Sequence, residues 1–189
     1  MDRPSPHARI PTLGSPRGWT LIEQLMLVAI VAVLASIAVP PMQGMFARSR
    51  LRSAQMDLIA GLQQARYLAI SRGLPAIFCP SRDGGTCRKS SRWEQGWLIA
   101  IDRDGNDQPD RSVLYTGPHA PGDMRVRSSS GRYRVRFHPD GSAAGSNLTI
   151  TLCLPHDEDR ALNVVVSNPG RVRGEPASTA QTAACSGNG

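Results

Sequence analysis

The sequence predicts an α+β protein, with a long N-terminal helix followed by an antiparallel β-sheet domain. Three observations carry this prediction. Residues 19–39 form an almost unbroken apolar run. Behind it, Leu51, Ala54, Leu58, Gly61, Leu62, Ala65 and Leu68 recur at spacings of three and four, which is one face of a helix. From residue 76 onward, short apolar stretches alternate with Gly, Asp, Asn and Pro clusters, the pattern of strands and turns. Helix first and strands afterwards favours α+β over an alternating βαβ chain.

The elements follow in order. Residues 1–18 carry Arg3, Arg9 and Arg17 among several prolines, with no helical period, and read as a short basic leader. Those arginines favour a cytoplasmic N-terminus, although Arg48, Arg50 and Arg52 beyond the apolar run weaken the asymmetry. Residues 19–39 are enough to cross a bilayer as a helix. Glu23 lies inside that run. A carboxylate there is costly and marks a function, the alternative being a side chain that reaches back to the headgroups. Ala29, Ala32, Ala35, Ser36 and Ala38 suit close packing of helices. Pro40 and Pro41 should kink the helix without ending it, because the helical spacing resumes and runs to about Arg72, before Gly73 and Pro75. Residues 40–73 thus continue the helix, and 74–189 form the β-rich domain. Strands are expected near Ala76–Pro80, Gly96–Asp102, Ser112–Thr116, Met124–Arg127, Arg132–Phe137, Leu148–Leu154 and Leu162–Ser167.

With 189 residues, the part beyond the apolar run is the size of one domain. The net charge is +7, from 22 basic and 15 acidic residues, and Lys89 is the only basic residue that is not arginine. That excess is either codon bias or the mark of a polyanion partner, since guanidinium makes forked contacts to phosphate. Four cysteines after a membrane segment suggest an oxidising compartment and two disulfides. Cys79–Cys87 and Cys153–Cys185 are favoured, because each pairing closes a loop rich in Gly, Ser, Thr or Pro. A zinc site is the alternative.

Catalytic signatures are missing. His119, His138 and His156 each neighbour a proline, and no Gly-x-Ser-x-Gly, His-Glu-x-x-His or P-loop occurs. No cofactor or metal is expected. Residues 102–110 offer oxygen ligands in a calcium-like order. However, Gly105 comes too early and no glutamate closes the loop, so a polar turn is expected. Trp93 and Trp97 read as sheet packing. Two arginine constellations stand out. Gly170-Arg171-Val172-Arg173 follows a turn, and in an extended segment Arg171 and Arg173 face the same side, a fork for two phosphates. Gly170 and Gly174 would let a ligand backbone approach. Arg132, Arg134 and Arg136 alternate with Tyr133, Val135 and Phe137 and should share an outer face. A hairpin through 128–131 would bring Arg125 and Arg127 beside them. The plain alternative for the first is a solvated strand end, or arginines paired with Glu175 or Asp157; for the second it is the solvent face of an amphipathic strand.

The segment Gly18-Trp19-Thr20-Leu21-Ile22-Glu23, with its apolar run and terminal Pro40, resembles the class III signal of type IV pilins and type II secretion pseudopilins. Trp19 departs from the usual phenylalanine. The resemblance implies cleavage after Gly18 by a prepilin peptidase and N-methylation of Trp19. It also implies that Glu23 pairs with the amine of a neighbouring subunit during assembly. Cys79 and Cys87, Trp93-x-x-Gly96-Trp97, Asp102-x-Asp104-x-Asn106, Phe137-x-Pro139-x-Gly141, Leu152-Cys153 and Gly170-Arg171-Val172-Arg173 with Cys185 resemble, in that order, the FimT/GspH branch. That likeness implies a pilin-like fold, other pilins or pseudopilins as partners, and a non-enzymatic role. It also implies a single-pass inner-membrane protein with a periplasmic C-terminal domain. In FimT proteins a Gly-Arg-x-Arg element is associated with binding DNA during natural transformation, so double-stranded DNA, met at its phosphate backbone by the arginine fork, is the expected partner. Two functions follow from the branch: a minor pilin that binds DNA for uptake, or pseudopilin H of a type II secretion system.

Overall fold

The computed structural model describes residues 18–155 and 157–187, without the side chains of 37–43 and 157–159. The leader and the side chain of Pro40 therefore lie outside the described residues. The chain divides into two units, Met1–Gln43 and Gly44–Gly189. Helix α1 runs over Leu21–Arg72 as one element, through Pro40 and Pro41, which have no N–H to donate. Its start is capped by Thr20, whose carbonyl accepts from the Glu23 N–H at 3.1 Å. Gly73, with φ of 61°, ends it. Between residues 21 and 34 its apolar side chains are exposed on all sides. Among the described residues no helix is both long and apolar enough to cross a membrane.

In the second unit, the α1 positions spaced by three and four face inward. Leu51, Leu58, Leu62, Ala65 and Leu68 are buried in one core with residues of both sheets. The first sheet contains β1 (Ala76–Pro80), β2 (Trp97–Ile101), β3 (Tyr115–Gly117) and β5 (Val135–Phe137), in the order β3-β2-β1-β5. The second contains β4 (Arg125–Ser128), β6 (Leu148–Leu154), β7 (Asp157–Val166) and β8 (Val172–Pro176), in the order β4-β6-β7-β8. All pairings are antiparallel. Alternation sorts the faces: Leu148, Ile150 and Leu152 of β6 point to the core under α1, whereas Cys153 belongs to a separate cluster with Ala161 and Cys185.

Trp97 shows why small residues are needed at this contact. A Cβ at Gly61 of α1 would lie 2.6 Å from the indole, and one at Gly117 would lie 1.9 Å from it. Phe78 stacks on Trp93 at 5.5 Å and meets Trp97 at 4.8 Å, so both tryptophans are packing residues, as expected.

A short helix, α2 (Thr179–Ser186), covers the outer face of the second sheet. Ser178 and Gln181 form a capping box at its start. At its end, Arg125 Nη1 donates to the carbonyls of Ser186 at 2.8 Å and Gly187 at 2.7 Å, where a cation favours the helix dipole. The Cys153–Cys185 disulfide joins α2 to β6, and Cys79–Cys87 closes the excursion after β1, which is the favoured pairing of the four cysteines.

Two expectations are corrected. The β4 and β5 strands do not form a hairpin: β4 pairs with β6, and β5 with β1. The turn between them forms, with the Arg132 N–H donating to the Ser129 carbonyl at 3.0 Å, but it hands the chain from one sheet to the other. The other is the strand list, which ended at Ser167: the extended segment read around Arg171–Arg173 is a paired strand, β8, and α2 follows it.

Candidate nucleic-acid interface and assembly residues

The C-terminal arginines sit on the β7–β8 hairpin. Val166 lies opposite Val172 and Val165 opposite Arg173, with residues 167–171 as the loop. The Ser167 N–H donates to the Arg171 carbonyl at 3.1 Å, and the Gly170 N–H to the Ser167 carbonyl at 2.8 Å. Gly170 has φ of 77°. A Cβ on it would stand 1.9 Å from the Gly141 carbonyl oxygen, which also accepts from Arg66 Nε at 2.9 Å. A Cβ on Gly174 would stand 2.8 Å from Gln55 Nε2 of α1. Both glycines therefore admit the protein's own backbone and helix, which corrects the expectation that they admit a ligand.

The effect of that seating is to hold Arg171 and Arg173 outward. Both are exposed. Arg173 Nε donates to Glu175 Oε2 at 3.0 Å, with the side chains 48% and 40% exposed. A pair that open to water is worth about 0–1 kcal/mol and yields easily to a phosphate. Arg171 has no acidic partner among the described residues.

The other arginine set behaves differently. Arg132 is exposed and donates to the Gly145 carbonyl at 2.8 Å. Arg134 Nε lies 2.5 Å from Asp107 Oδ1, with its guanidinium over the Tyr133 ring. Arg136 Nη2 pairs with Asp102, and with Asp107 Oδ1 at 2.8 Å. The expected shared cationic face is thus corrected: Val135 and Phe137 are buried as predicted, but two of the three guanidiniums are turned into the loop between β2 and β3.

That loop is built around Asp102, whose side chain is fully buried. Its carboxylate accepts from the Gly105 N–H at 3.0 Å and the Asp107 N–H at 3.2 Å. Burial pushes its carboxyl up from the ordinary range, against the pull of the Arg136 guanidinium and the Asp107 and Gly105 N–H groups. Asp104 accepts from the Asn106 backbone and Asp110 from that of Arg103. Positive charge inside the loop is supplied by Arg136. Gln108 ties the loop to the first disulfide, accepting from the Cys87 N–H and donating to its carbonyl, each at 3.0 Å. In the disulfide loop itself, N–H groups of Gly85 and Thr86 hold the Asp83 carboxyl well below the usual range.

In the first unit, Trp19 is 64% exposed. Thr20 Oγ1 accepts from the Glu23 N–H at 3.4 Å, and Glu23 sits in the first helical turn, where a negative charge is favoured. This Thr-x-x-Glu helix start is a local role of the signal residues that the sequence reading passed over. The spacing of a capping box was there to find.

One long helix laid on two antiparallel sheets, with two disulfides holding the outer faces, defines a pilin-type subunit. The chain belongs to the GspH family: the family described as "Type II transport protein GspH" matches residues 54–170. Among curated relatives it is 28% identical to the "Type II secretion system protein H" of Xanthomonas campestris pv. campestris, over 78% of this chain and 79% of that protein. Among solved structures it is similar to the Pseudomonas aeruginosa type IV minor pilin FimU. One crystal form gives a TM-score of 0.56 at 22% identity, covering 68% of this chain and 90% of the other. A second crystal form gives 0.53 at 23% identity, covering 67% and 93%.

Proposed function

We propose that this protein is a minor pilin-type subunit that is assembled into a pilus and captures double-stranded DNA through Arg171 and Arg173. One observation supports this above the rest. The β7–β8 hairpin is seated by Gly170, where a side chain would meet the Gly141 backbone, and by Gly174 against Gln55 of α1, and it presents two exposed guanidiniums, one of them without an acidic partner among the described residues. The contact is to phosphates and carries no sequence preference. Arg132 can add to it through charge. Arg134 and Arg136 are left out, because Asp102 and Asp107 neutralise them.

In the same reading a prepilin peptidase removes residues 1–18, and Trp19 becomes the methylated N-terminus. Residues 19–39 anchor the subunit in the inner membrane with the β-rich domain on the periplasmic side. Glu23 meets the amine of a neighbouring pilin, and Pro40 bends the helix.

The test is DNA binding by the full chain in detergent across a salt series, beside the Arg171→Ala/Arg173→Ala variant. Binding that weakens with salt, with a slope lowered by about two in the variant, is the expected result. Equal binding by the variant, or none by the wild type at low salt, overturns the DNA role. The second reading is then preferred, a structural subunit of a type II secretion pseudopilus, and the likeness to the Xanthomonas secretion protein favours it.

A further inference from the structure

The second sheet is wider than its four named strands. The Ser128 N–H donates to the Ser91 carbonyl and the Trp93 N–H to the Val126 carbonyl, each at 2.9 Å, and Arg92 is bridged to Arg127. Residues 91–93 thus add a fifth, short edge beside β4. Directly opposed residues of an antiparallel pair lie on one face. Arg92 opposes Arg127, Arg127 opposes Thr151, and Thr151 opposes Asn163, whose Nδ2 donates to Gln181 of α2 at 2.9 Å. In the next row, Thr149 opposes Val165 and Val165 opposes Arg173. The register therefore puts Arg92, Arg127, Thr149, Thr151 and Arg173 on the face that carries α2.

On that face, between α2 and the 128–131 turn, lies an open groove of about 570 Å³. Its charged residues are Arg92 and Arg127, and no carboxylate lines it among the described residues. Arg127 is 3.5 Å from Glu94 and is partly neutralised. Arg92 is exposed and has no acidic partner. The Ser91 and Ser130 hydroxyls are exposed and make no hydrogen bond among the described residues. The Arg92 guanidinium beside free hydroxyl donors, with Glu94 held by Arg127, is the donor set of a phosphodiester.

We propose that this groove is a second phosphate-binding element, which holds the nucleic acid whose other contact is Arg171 and Arg173. It rests on the DNA reading above. Four strand spacings of about 4.8 Å separate the Arg92 edge from β8, roughly 19 Å. A duplex carries one charge per about 1.7 Å of its axis, so one duplex riding over α2, which covers the face between them, presents phosphates to both ends.

The experiment uses the full chain in detergent, a random-sequence duplex and a salt series. Arg92→Ala is expected to weaken binding several-fold and lower the salt slope by about one. Ser130→Glu, which puts a carboxylate in the groove, is expected to weaken it further. Neither side chain is used in folding, so unchanged melting accompanies both. If both variants bind like wild type while Arg171→Ala/Arg173→Ala collapses, the groove is overturned and the hairpin reading stands. If the wild type binds no DNA, the DNA reading falls and takes the groove with it.

Discussion

At the scale of single residues, Arg136 shows that a side chain's type does not fix its role. It reads as one of three alternating surface cations, yet its guanidinium serves a carboxylate that is wholly buried. Nothing local in Arg-Tyr-Arg-Val-Arg-Phe announces this, because Asp102 is brought to it by the pairing of β1 with both β2 and β5. Removing one partner of a buried pair strands the other, at about 3–5 kcal/mol. Arg136 keeps some exposure, with 19% of its side chain open to water. The low end is therefore expected, so Arg136→Gln should cost about 3 kcal/mol in urea unfolding. The Asp102→Asn/Arg136→Gln double variant should recover part of that loss. A cost under about 1 kcal/mol would mean the pair is a surface contact only. Gly170 teaches the converse lesson: its glycine was legible as special, but for the wrong neighbour, since the close approach is to Gly141 of the same chain.

At the scale of elements, legibility tracks how local the cause is. The bounds of β1 and β6 match the sequence reading residue for residue, because Ala-Ile-Phe-Cys-Pro and Leu-Thr-Ile-Thr-Leu-Cys-Leu are dense in strand formers. The inward face of α1 beyond residue 50 was equally plain from its spacing. By contrast, β8 reads Val-Arg-Gly-Glu-Pro, with glycine and proline that only an edge strand tolerates. Helix α2 is eight residues of small side chains, too short to stand alone. What holds it is distant in sequence: Cys153, Arg125 and Asn163. Two disulfides consequently differ in what they do. Cys79–Cys87 closes a separation of 8 residues and Cys153–Cys185 one of 32. Chain entropy alone gives about 2.5 and about 4 kcal/mol. Cys153→Ser/Cys185→Ser should therefore lower the melting temperature more than Cys79→Ser/Cys87→Ser, and α2 amides should lose hydrogen-exchange protection while β1 and β2 keep theirs. Equal losses in both variants, with α2 still protected, would mean the helix is held by Arg125 and packing without the staple.

At the scale of the whole molecule, the two units, each taken by itself, differ in what they bury. The second has a closed core under α1. The first exposes Leu21, Leu25, Met26, Val28, Ile30 and Leu34, each more than half open. A helix apolar on every side is a surface for lipid or for other helices. Within that surface Glu23 is the one acidic residue, on the first turn, next to a cap that Thr20 supplies. A carboxylate in the first turn is favoured by the helix dipole in its own right, so the assembly role proposed for it must be separated from helix initiation. Glu23→Gln does this, because glutamine serves a capping box nearly as well while carrying no charge. In cells, Gly18→Val should leave the leader attached, read as intact mass of the extracted chain. Glu23→Gln should be processed and membrane-extracted like wild type, yet be largely lost from sheared filaments. Loss on Glu23→Ala but not on Glu23→Gln would assign the residue to helix capping. Loss on both, with processing intact, would assign its charge to the meeting with a neighbour's amine.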